Sequence, residues 1–307
     1  MTAEAVAVLI GALILDRAMG EPSNTYHPVA YLGRVIAALL SRLGDHRLSG
    51  VLLYVSTALP FALGAYLLAS LQGVAGLVLA AFILKLQFSW RGLEEHARPV
   101  ADHLLQGEVD EARKAVSSIV GRDTSSLEER HIASAAVESV GDSTVDGIIA
   151  PLFYFVVLSL AFGVPEGVAG AALYRATNTL DSMVGYRKKG LLDIGFFSAK
   201  MDDLLSYVPA RISGGLLILS ALFLGEAWRN SVGIYLRDRC KTPSPNAGHP
   251  ISAVAGALGV QLEKIGVYRI GERHEDLGAR HILRALSMVN LSVAFFVIIT
   301  LVAMIWM

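Results

Sequence analysis

Six long apolar runs constrain the fold of this chain more than any other feature. The runs cover residues 3–19, 50–71, 73–90, 148–164, 208–225 and 287–306. An α-helix needs about 20 apolar residues to cross the hydrocarbon core of a bilayer, and it satisfies its own backbone groups in lipid. The sequence therefore predicts an all-α, polytopic integral membrane protein with about 5–8 transmembrane or re-entrant helices.

Composition supports a surface that faces lipid. Hydrophobic residues make up 54% of the 307 positions and charged residues only 17%, whereas a soluble domain is about 25% charged. The run 3–19 lacks the basic start and clear cleavage site of a signal peptide, so we expect it to be retained. A net charge of −1 gives no sign of a nucleic-acid partner.

Polar residues are concentrated in four segments between the apolar runs, at 16–49, 91–147, 174–211 and 226–286. All four contain several Lys and Arg residues, which the positive-inside rule places on the cytoplasmic side. Simple counting of spans conflicts with this placement, because a full crossing at 208–225 would separate the last two segments. Either one apolar stretch is re-entrant or 166–180 also crosses, and we favour a re-entrant or hairpin solution.

The last three of these polar segments are expected to build the active site of a single integral membrane domain, 1–307. Apolar residues in 91–147 recur at helical spacing, which predicts amphipathic helices on the cytoplasmic side. One of these helices should start near Thr124 or Ser125, where a hydroxyl can cap the first turn, and should end near Gly141.

Three acidic residues, Glu138, Asp142 and Asp146, recur at every fourth position just before the run 148–164. On one continuous helix they share a face, and oxygen ligands so arranged suit Mg²⁺ that also binds substrate phosphates. The alternative is a solvated acidic stripe. An Asp at a membrane helix centre costs about 2.5–3.5 kcal/mol on insertion scales, so acids beside an apolar run favour the functional interpretation.

A second set of polar residues has helical spacing at Arg175, Asn178, Asp181 and Ser182. A helix places these four side chains near one another. An Arg, an amide, a carboxylate and a hydroxyl together suit a site for a phosphate and a metal ion. The alternative is a structural Arg–Asp pair that neutralises two charges near the membrane, and we favour the functional site.

Two further groups are open to both structural and functional interpretation. Lys200, Asp202 and Asp203 lie just before an apolar run, where they can hold a metal and a nucleotide phosphate or can form an interfacial cap with Lys200 snorkelling. Arg211, which follows closely, is either another phosphate contact or an ordinary interface anchor.

Ser244 and Asn246 lie in a Pro-rich turn, 243–250. Such a turn can form an anion nest from hydroxyl, amide and backbone N–H groups, but most such turns are only turns. No Walker A loop, dinucleotide-binding glycine motif or zinc-protease motif is present, so nucleotide use requires a site of another design. The single cysteine, Cys240, excludes a disulfide within the chain and a cysteine-cluster metal site.

Several uncommon strings occur together and in a fixed order along the chain. They are HPV (27–29), GR (33–34), VGRDT (120–124), AVESV (136–140), DG (146–147), APL (150–152), YRA (174–176), NTLDSM (178–183), GY (185–186), AKMDDL (199–204), PAR (209–211), SPNAG (244–248) and AGALGV (255–260). Over nearly the whole chain they resemble the CobD/CbiB family, the membrane-bound adenosylcobinamide-phosphate synthases of cobalamin biosynthesis.

The chain departs from the family pattern at three places. The family usually has Ala-Glu-Asn where this chain has Gly141, Asp142 and Ser143, so an acid is kept and an amide is lost. Lys200 stands where the family often has Arg, which keeps the charge but not the bidentate guanidinium. Ile251 stands where the family often has Glu.

The resemblance implies an ATP-dependent ligase. Adenosylcobyric acid would be joined through a carboxylate to the amine of (R)-1-aminopropan-2-ol O-phosphate, giving adenosylcobinamide phosphate through an acyl phosphate, with ATP and Mg²⁺ as cofactors. Its implied metal ligands are Glu138, Asp142, Asp146, Asp181, Asp202 and Asp203, of which Asp181, Glu138 and Asp146 are catalytic and Asp181 is the base. Its implied substrate and phosphate contacts are Arg122, Arg175, Lys200, Arg211, Asn178, Ser182, Ser244 and Asn246.

The resemblance also implies partners and a location. We expect a corrinoid substrate, the aminopropanol phosphate, the lipid bilayer, other membrane-bound enzymes of the cobalamin pathway and self-association into a homo-oligomer. The protein would be multi-pass in the cell membrane with its active site on the cytoplasmic side. The alternatives are a transferase for diphosphate- or CDP-linked lipids, a transporter, and a non-catalytic corrinoid-binding membrane protein. Acids clustered at the ends of apolar runs, with no internal repeat, argue against the transporter.

Overall fold

Helices account for nearly all regular structure in the computed structural model, which describes residues 2–23, 25–185 and 191–306. The α-helices are α1 Thr2–Met19, α2 Pro28–Leu40, α3 Arg47–Ala69, α4 Gly73–Lys85, α5 Trp90–Leu105, α6 Val109–Ser117, α7 Glu129–Thr144, α8 Ala150–Ala161, α9 Val164–Val184, α10 Phe196–Leu205, α11 Tyr207–Phe223, α12 Trp228–Asp238, α13 Gly248–Leu258 and α14 Ala279–Trp306. A π-helical turn, Val145–Ile149, follows α7, and strands β1 Gln261–Lys264 and β2 Tyr268–Gly271 follow α13.

Within the described ranges, four helical stretches are long and apolar enough to cross a membrane. They are Arg47–Ala69, Gly73–Leu105, Glu129–Ala161 and Ala279–Trp306. The number rises to five if α10 and α11 form one broken span. Helix α1 covers the predicted run 3–19 but carries Glu4, Asp16 and Arg17 and is not one of these stretches. The prediction of an all-α, multi-pass membrane protein is confirmed.

The chain divides into two compact units. Unit 1 comprises Met1–Arg91, Asp146–Ser206 and Ile299–Met307, and unit 2 comprises Gly92–Val145 and Tyr207–Ile298. The division distributes the predicted site residues over both units. Residues 186–190, which belong to the predicted polar segment 174–211 and include the tyrosine of the GY string, lie outside the described residues.

Helix α9 is central to unit 1, because it packs against α2, α3, α8 and α10. Ile36, Leu53 and Leu180 are fully buried where α2, α3 and α9 meet. The hydroxyls of Tyr54 on α3 and Thr177 on α9 lie 2.7 Å apart and are buried. Apolar burial and this hydrogen bond together fix the rotation of α9, and the rotation decides which of its polar residues face inward.

Helix α13 is central to unit 2, since all of its residues are buried and it packs against α7, α11 and α12. The antiparallel β1–β2 hairpin follows and contacts α7 through β1. Its turn includes Gly266 at φ +73°, a backbone conformation that glycine adopts without strain. This hairpin was not among the elements predicted from the sequence, although a glycine between two short apolar-containing strings is a hairpin signal.

The bounds of α7 differ from the prediction at both ends. The helix begins at Glu129, and the Thr124 hydroxyl donates to the backbone oxygen of Arg113 at 3.1 Å rather than capping a first turn. It continues through Gly141 to Thr144. A Cβ at Gly141 would lie 3.7 Å from the backbone of Ile251, so this glycine lets α13 pack closely and does not end the helix.

Candidate active site

Unit 1 contains a group of polar residues on α9, on α10 and in the π-helical turn. We call Asp146, Tyr174, Arg175, Asn178, Asp181, Asp202 and Asp203 the Asp146 cluster. Asp146 lies in the π-helical turn Val145–Ile149, and such turns inside helices occur frequently at functional sites. The two strings that the sequence analysis singled out, 174–183 and 199–204, therefore meet in one unit through the packing of α10 on α9.

Tyr174 orients Asp146, a role that the sequence analysis did not assign. Its hydroxyl donates to Asp146 Oδ1 at 3.0 Å and lies 2.9 Å from Ser206 Oγ. The Tyr174 ring is fully buried and stacks on the ring of Tyr154, with centroids 5.7 Å apart. The Tyr154 hydroxyl in turn donates to the backbone oxygen of Leu205 at 2.9 Å. A buried tyrosine usually has a hydrogen-bond partner. A tyrosine in a helix rich in polar residues was therefore the sequence signal for this contact.

Arg175 carries an unsatisfied donor. Its Nε is buried and has no hydrogen-bond partner in the described part of the chain. Burial lowers the pKa of Arg175, while the nearby charges of Glu21 and Asp146 raise it. A buried donor without a partner costs about 1–3 kcal/mol, and more when the group is charged. An anionic oxygen placed at this nitrogen would remove that cost.

Asp181 lies at the end of α9 among other acids. Burial, together with the negative charges of Asp146 and Asp203, raises the pKa of Asp181 to about 6. Its carboxylate folds back over the helix end, where a Cβ on Gly185 would lie 1.9 Å from Asp181 Oδ1. A carboxyl group with a pKa near neutrality is suited to accept and release a proton under physiological conditions.

The remaining predicted residues of unit 1 differ in how they are placed. Asn178 donates to Asp202 Oδ1 at 3.3 Å, so the cluster includes both. Lys200 is largely exposed and pairs with Asp203 at 3.1 Å, one turn away on the same helix. Ser182 is exposed and donates to the backbone oxygen of Thr179 at 2.8 Å. The Ser182 hydroxyl is therefore used within its own helix.

The acids of unit 1 fit one mode of magnesium binding. Among the residues that the structure describes, no group of three or more His, Cys, Asp or Glu side chains is arranged to hold a metal ion. Mg²⁺ is usually bound by one or two protein carboxylates, with waters and substrate phosphates completing its six ligands. Burial raises the pKa of Asp181, and the nearby negative charges of Asp146 and Asp203 raise it further, so a cation would be favoured among these acids. These residues therefore fit Mg²⁺ that is bound together with a phosphate, and they do not fit a Mg²⁺ site made only of protein ligands.

A second ionic group in unit 1 surrounds a buried lysine. Lys85 is 1% exposed, and its Nζ lies 2.9 Å from Glu21 and 3.8 Å from Asp16. His27 Nε2 lies 3.1 Å from the other oxygen of Glu21. Burial raises the pKa of Glu21, but hydrogen bonds from His27 and Lys85 lower it to about 2. Lys85 was not among the residues predicted from the sequence, although a lysine within an apolar run is itself a signal of function.

Glu138 and Arg122 lie in unit 2 and belong to a separate network. Glu138 is nearly buried and accepts from the hydroxyls of Ser134 at 2.8 Å and Tyr268 at 2.7 Å. Arg122 Nη2 lies 3.2 Å from the same carboxylate, and Ser134 Oγ also accepts from the backbone N–H of Glu263 at 2.7 Å. Glu138 therefore ties α7 to the hairpin. Its predicted metal and catalytic roles, and that of its neighbour Asp142, stay predictions.

Three other predicted contacts come together in unit 2. Arg211 Nη1 donates to Asn246 Oδ1 at 3.0 Å, and its guanidinium stacks on the ring of Tyr207 at 3.4 Å. The backbone N–H of Asn246 donates to Ser244 Oγ at 3.2 Å. Two residues outside the prediction, Tyr235 and His249, lie beside this group. Arg239 lies one helical turn after Tyr235, at the end of α12. We call Arg211, Tyr235, Arg239, Asn246 and His249 the Arg211 cluster.

Known proteins are similar to this chain over most of its length. A family profile described as CobD/Cbib protein matches residues 9–289. The "Probable cobalamin biosynthesis protein CobD" of Methanothermobacter thermautotrophicus is 41% identical over 291 residues, which cover 95% of each chain. The "Cobalamin biosynthesis protein CobD" of Pelobacter propionicus is 44% identical over 83% of this chain and 79% of its own. The protein of that name from Dehalococcoides mccartyi is 39% identical over 97% and 96%. No solved structure matches the chain significantly.

Proposed function

This chain belongs to the CobD/CbiB family, and we propose that it is an adenosylcobinamide-phosphate synthase. The proposed reaction joins adenosylcobyric acid to (R)-1-aminopropan-2-ol O-phosphate at the expense of ATP, and releases ADP and phosphate. The names of its relatives support the cobalamin pathway and a corrinoid substrate. The Asp146 cluster supports phosphoryl chemistry, because acids gather there beside the unsatisfied buried Nε of Arg175.

The chemistry requires that a carboxylate be made electrophilic. Transfer of the γ-phosphoryl group of ATP to the corrinoid carboxylate would give an acyl phosphate and ADP. The amine would then attack the acyl carbon, an amide bond would form, and phosphate would leave with the electron pair of the broken bond. Mg²⁺ bound with ATP would supply neutralising charge for the phosphoryl oxygens.

Residues of the Asp146 cluster would position the phosphates. Arg175 would donate from its Nε to a phosphoryl oxygen, and this contact would satisfy a donor that has no partner in the described structure. Asp146, held by Tyr174, and Asp202, held by Asn178, are oriented carboxylates that would bind the metal. Asp203 and Lys200 form a pair that would contribute one further metal ligand and one further phosphate contact.

Asp181 would act as the base for the amine. Its pKa of about 6 leaves the carboxylate largely ionised at neutral pH, yet still basic enough to accept the proton that the nitrogen loses on attack. The side chain is held against Gly185, which limits its rotamers. In unit 2, Glu138 would position Arg122 rather than bind metal, because its two oxygens already accept from Ser134 and Tyr268.

We further propose that the protein resides in the cell membrane with its site on the cytoplasmic side. The apolar helical stretches support the membrane location, and both ATP and the positive-inside rule favour the cytoplasmic side. Self-association and contact with other membrane-bound enzymes of the pathway belong to the same proposal.

The test uses the full chain in detergent with adenosylcobyric acid, ATP, Mg²⁺ and (R)-1-aminopropan-2-ol O-phosphate. Mass spectrometry should detect adenosylcobinamide phosphate, and ADP should form in equal amount. Both should disappear when EDTA is added, and an Asp181→Asn variant should form the amide product about 10²–10⁴-fold more slowly. Tight corrinoid binding without product would instead indicate a binding protein or transporter. Absence of both would overturn the assignment of substrate.

A further inference from the structure

Two arginines of the Arg211 cluster lack an acidic partner. Both hydrogen bonds of Arg211 in the described structure are donated by Nη1, to the backbone oxygen of Tyr207 at 2.6 Å and to Asn246. Over the same residues, the Arg239 guanidinium has neither a hydrogen bond nor an ion pair. Neighbouring cations differ sharply: Arg237 pairs with Asp238 and Glu272, and Lys241 pairs with Asp238.

The two guanidinium groups lie near the same pair of side chains. The hydroxyl of Tyr235 and Nδ1 of His249 lie 2.7 Å apart, and Arg239 Cζ lies 5.6 Å from the Tyr235 ring centroid. Burial, together with the positive charges of Arg211 and Arg239, lowers the pKa of His249 to about 4. His249 is therefore neutral at physiological pH, and both arginine charges act on it while neither arginine pairs with a carboxylate of the described residues.

This arrangement is costly unless an anion joins it. Like charges near a partly buried site repel one another, and solvent screens them less than it screens charges on an open surface. Asn246 is 5% exposed. Helix α13 begins two residues later, and the positive end of its backbone dipole adds to the positive potential around Asn246. No carboxylate contacts either arginine among the residues described. This composition contrasts with the acid-rich Asp146 cluster, which suits a phosphate that arrives with Mg²⁺.

We propose that Arg211 and Arg239 form a metal-independent subsite for a phosphate monoester, and that this subsite holds the phosphate of the amino-alcohol substrate. The identity of that substrate rests on the proposed function, whereas binding of a phosphate monoester does not. A bidentate guanidinium matches two phosphate oxygens, so two arginines would distinguish the phosphorylated amine from the free amino alcohol. Arg239 and His249 are additions to the contacts that the sequence predicted.

The test measures binding and catalysis separately on the full chain in detergent. By calorimetry in EDTA, (R)-1-aminopropan-2-ol O-phosphate should bind, and unphosphorylated aminopropanol should bind at least about tenfold more weakly, as expected for the loss of charge-assisted hydrogen bonds. Arg239→Gln and Arg211→Gln should each weaken binding of the phosphorylated amine by about tenfold or more. Arg239→Lys, which keeps the charge but not the fork, should lie between them and the wild type.

A matched control comes from the same region. Arg229 is exposed and stacks on Trp228, so Arg229→Gln should bind the phosphorylated amine normally. In the ligation assay, Arg239→Gln should raise KM for the phosphorylated amine while kcat and KM for ATP stay close to wild type. An Arg239 variant that elutes as a single folded species and binds the phosphorylated amine like wild type would overturn the subsite.

The binding and ligation experiments test the phosphate subsite and the ligase activity independently. Binding that depends on Arg239, in a protein that makes no amide product, supports the subsite and rejects the ligase. Ligation with an unchanged KM for the phosphorylated amine in Arg239→Gln and Arg211→Gln supports the ligase and rejects the subsite. Binding that requires Mg²⁺ also rejects the subsite as proposed.

Discussion

The carboxylate of Asp181 occupies the space that a side chain at Gly185 would need. A Cβ built on Gly185 would lie 1.9 Å from Asp181 Oδ1 and 2.7 Å from the backbone oxygen of Asp181. The φ of Gly185 is −71°, a value that any residue adopts, so the need for glycine comes from the close approach of Asp181 and not from a left-handed backbone. Gly185 therefore leaves room for both the carboxylate and the backbone oxygen of Asp181.

Gly185→Ala should reduce ligation by displacing Asp181. The new methyl group must push the carboxylate away, and loss of a positioned base typically lowers the rate by about 10²–10⁴-fold. Steady-state kinetics should show a fall in kcat comparable with that of Asp181→Asn. Gly64→Ala is the control in the same unit, because nothing lies within 4 Å of a Cβ at Gly64. Equal activity of both alanine variants would contradict the role of Asp181.

Activity should depend on the ionisation of Asp181. Burial and the charges of Asp146 and Asp203 raise its pKa to about 6, and only the ionised form accepts a proton. The ratio kcat/KM for the amine should therefore fall as the pH drops below about 6. A pH profile measured under conditions where ATP binding is saturated checks this. An acid limb centred near pH 4 would mean that a different group is the base.

The same pKa predicts the direction of a stability change. The folded state favours the neutral form of Asp181, because its pKa lies above the ordinary value of 3.8. Neutral Asp181 contributes fully to the free energy of unfolding below pH about 4, and this contribution is lost as the pH rises through about 6. Asp181→Asn should therefore unfold at a higher temperature than wild type at pH 7.5 and at nearly the same temperature at pH 4. A lower unfolding temperature at pH 7.5 would contradict this.

Arg175→Gln should separate activity from stability. Removal of a donor that meets phosphoryl oxygens should lower kcat by about 10²–10³-fold. Stability without ligands should change little, since removal of a buried donor that has no partner in the described structure offsets the lost attraction to Glu21 and Asp146. Thermal unfolding and steady-state kinetics on the same preparation give both values. Arg42→Gln, at an exposed position of unit 1, should change neither.

The sequence predicts the membrane fold well because the apolar runs carry the dominant energy. Lipid admits only helices and closed barrels, so long apolar runs leave few alternatives. The helical spacing of Arg175, Asn178 and Asp181 likewise predicts that they lie near one another, and they share the Asp146 cluster. Asp202 joins them through Asn178. For Arg175, Asn178 and Asp181, the helical periodicity of the sequence was sufficient to predict that they lie close together.

Contacts between distant parts of the chain were not predictable in this way. The partner of Lys85 is Glu21, and that of Glu138 is Tyr268 on a hairpin that was not foreseen. Such pairs depend on how helices pack, which side-chain periodicity does not specify. The prediction that α7 ends at Gly141 was wrong for a similar reason. A glycine often marks a helix end, but here the small residue allows close packing against α13.

Glu138→Gln distinguishes a structural from a catalytic role. The change removes the charge that pairs with Arg122 and should lower the free energy of unfolding by about 3 kcal/mol, as expected when a nearly buried ion pair is broken. Backbone amides of β1 and β2 should exchange hydrogen faster, because the bond from Tyr268 holds the hairpin to α7. Normal exchange in the hairpin together with complete loss of ligation would instead support the predicted catalytic role of Glu138.

Cys240 provides a direct test of the side of the membrane on which unit 2 lies. It is the single cysteine of the chain and is exposed, so a thiol reagent modifies one position only. A membrane-impermeant maleimide should label Cys240 in inverted membrane vesicles but not in intact cells, because a site that uses ATP must face the cytoplasm. Cys240→Ser should abolish labelling in both. Labelling in intact cells would place the Arg211 cluster, which neighbours Cys240 in the chain, on the side that lacks ATP and would contradict a cytoplasmic active site.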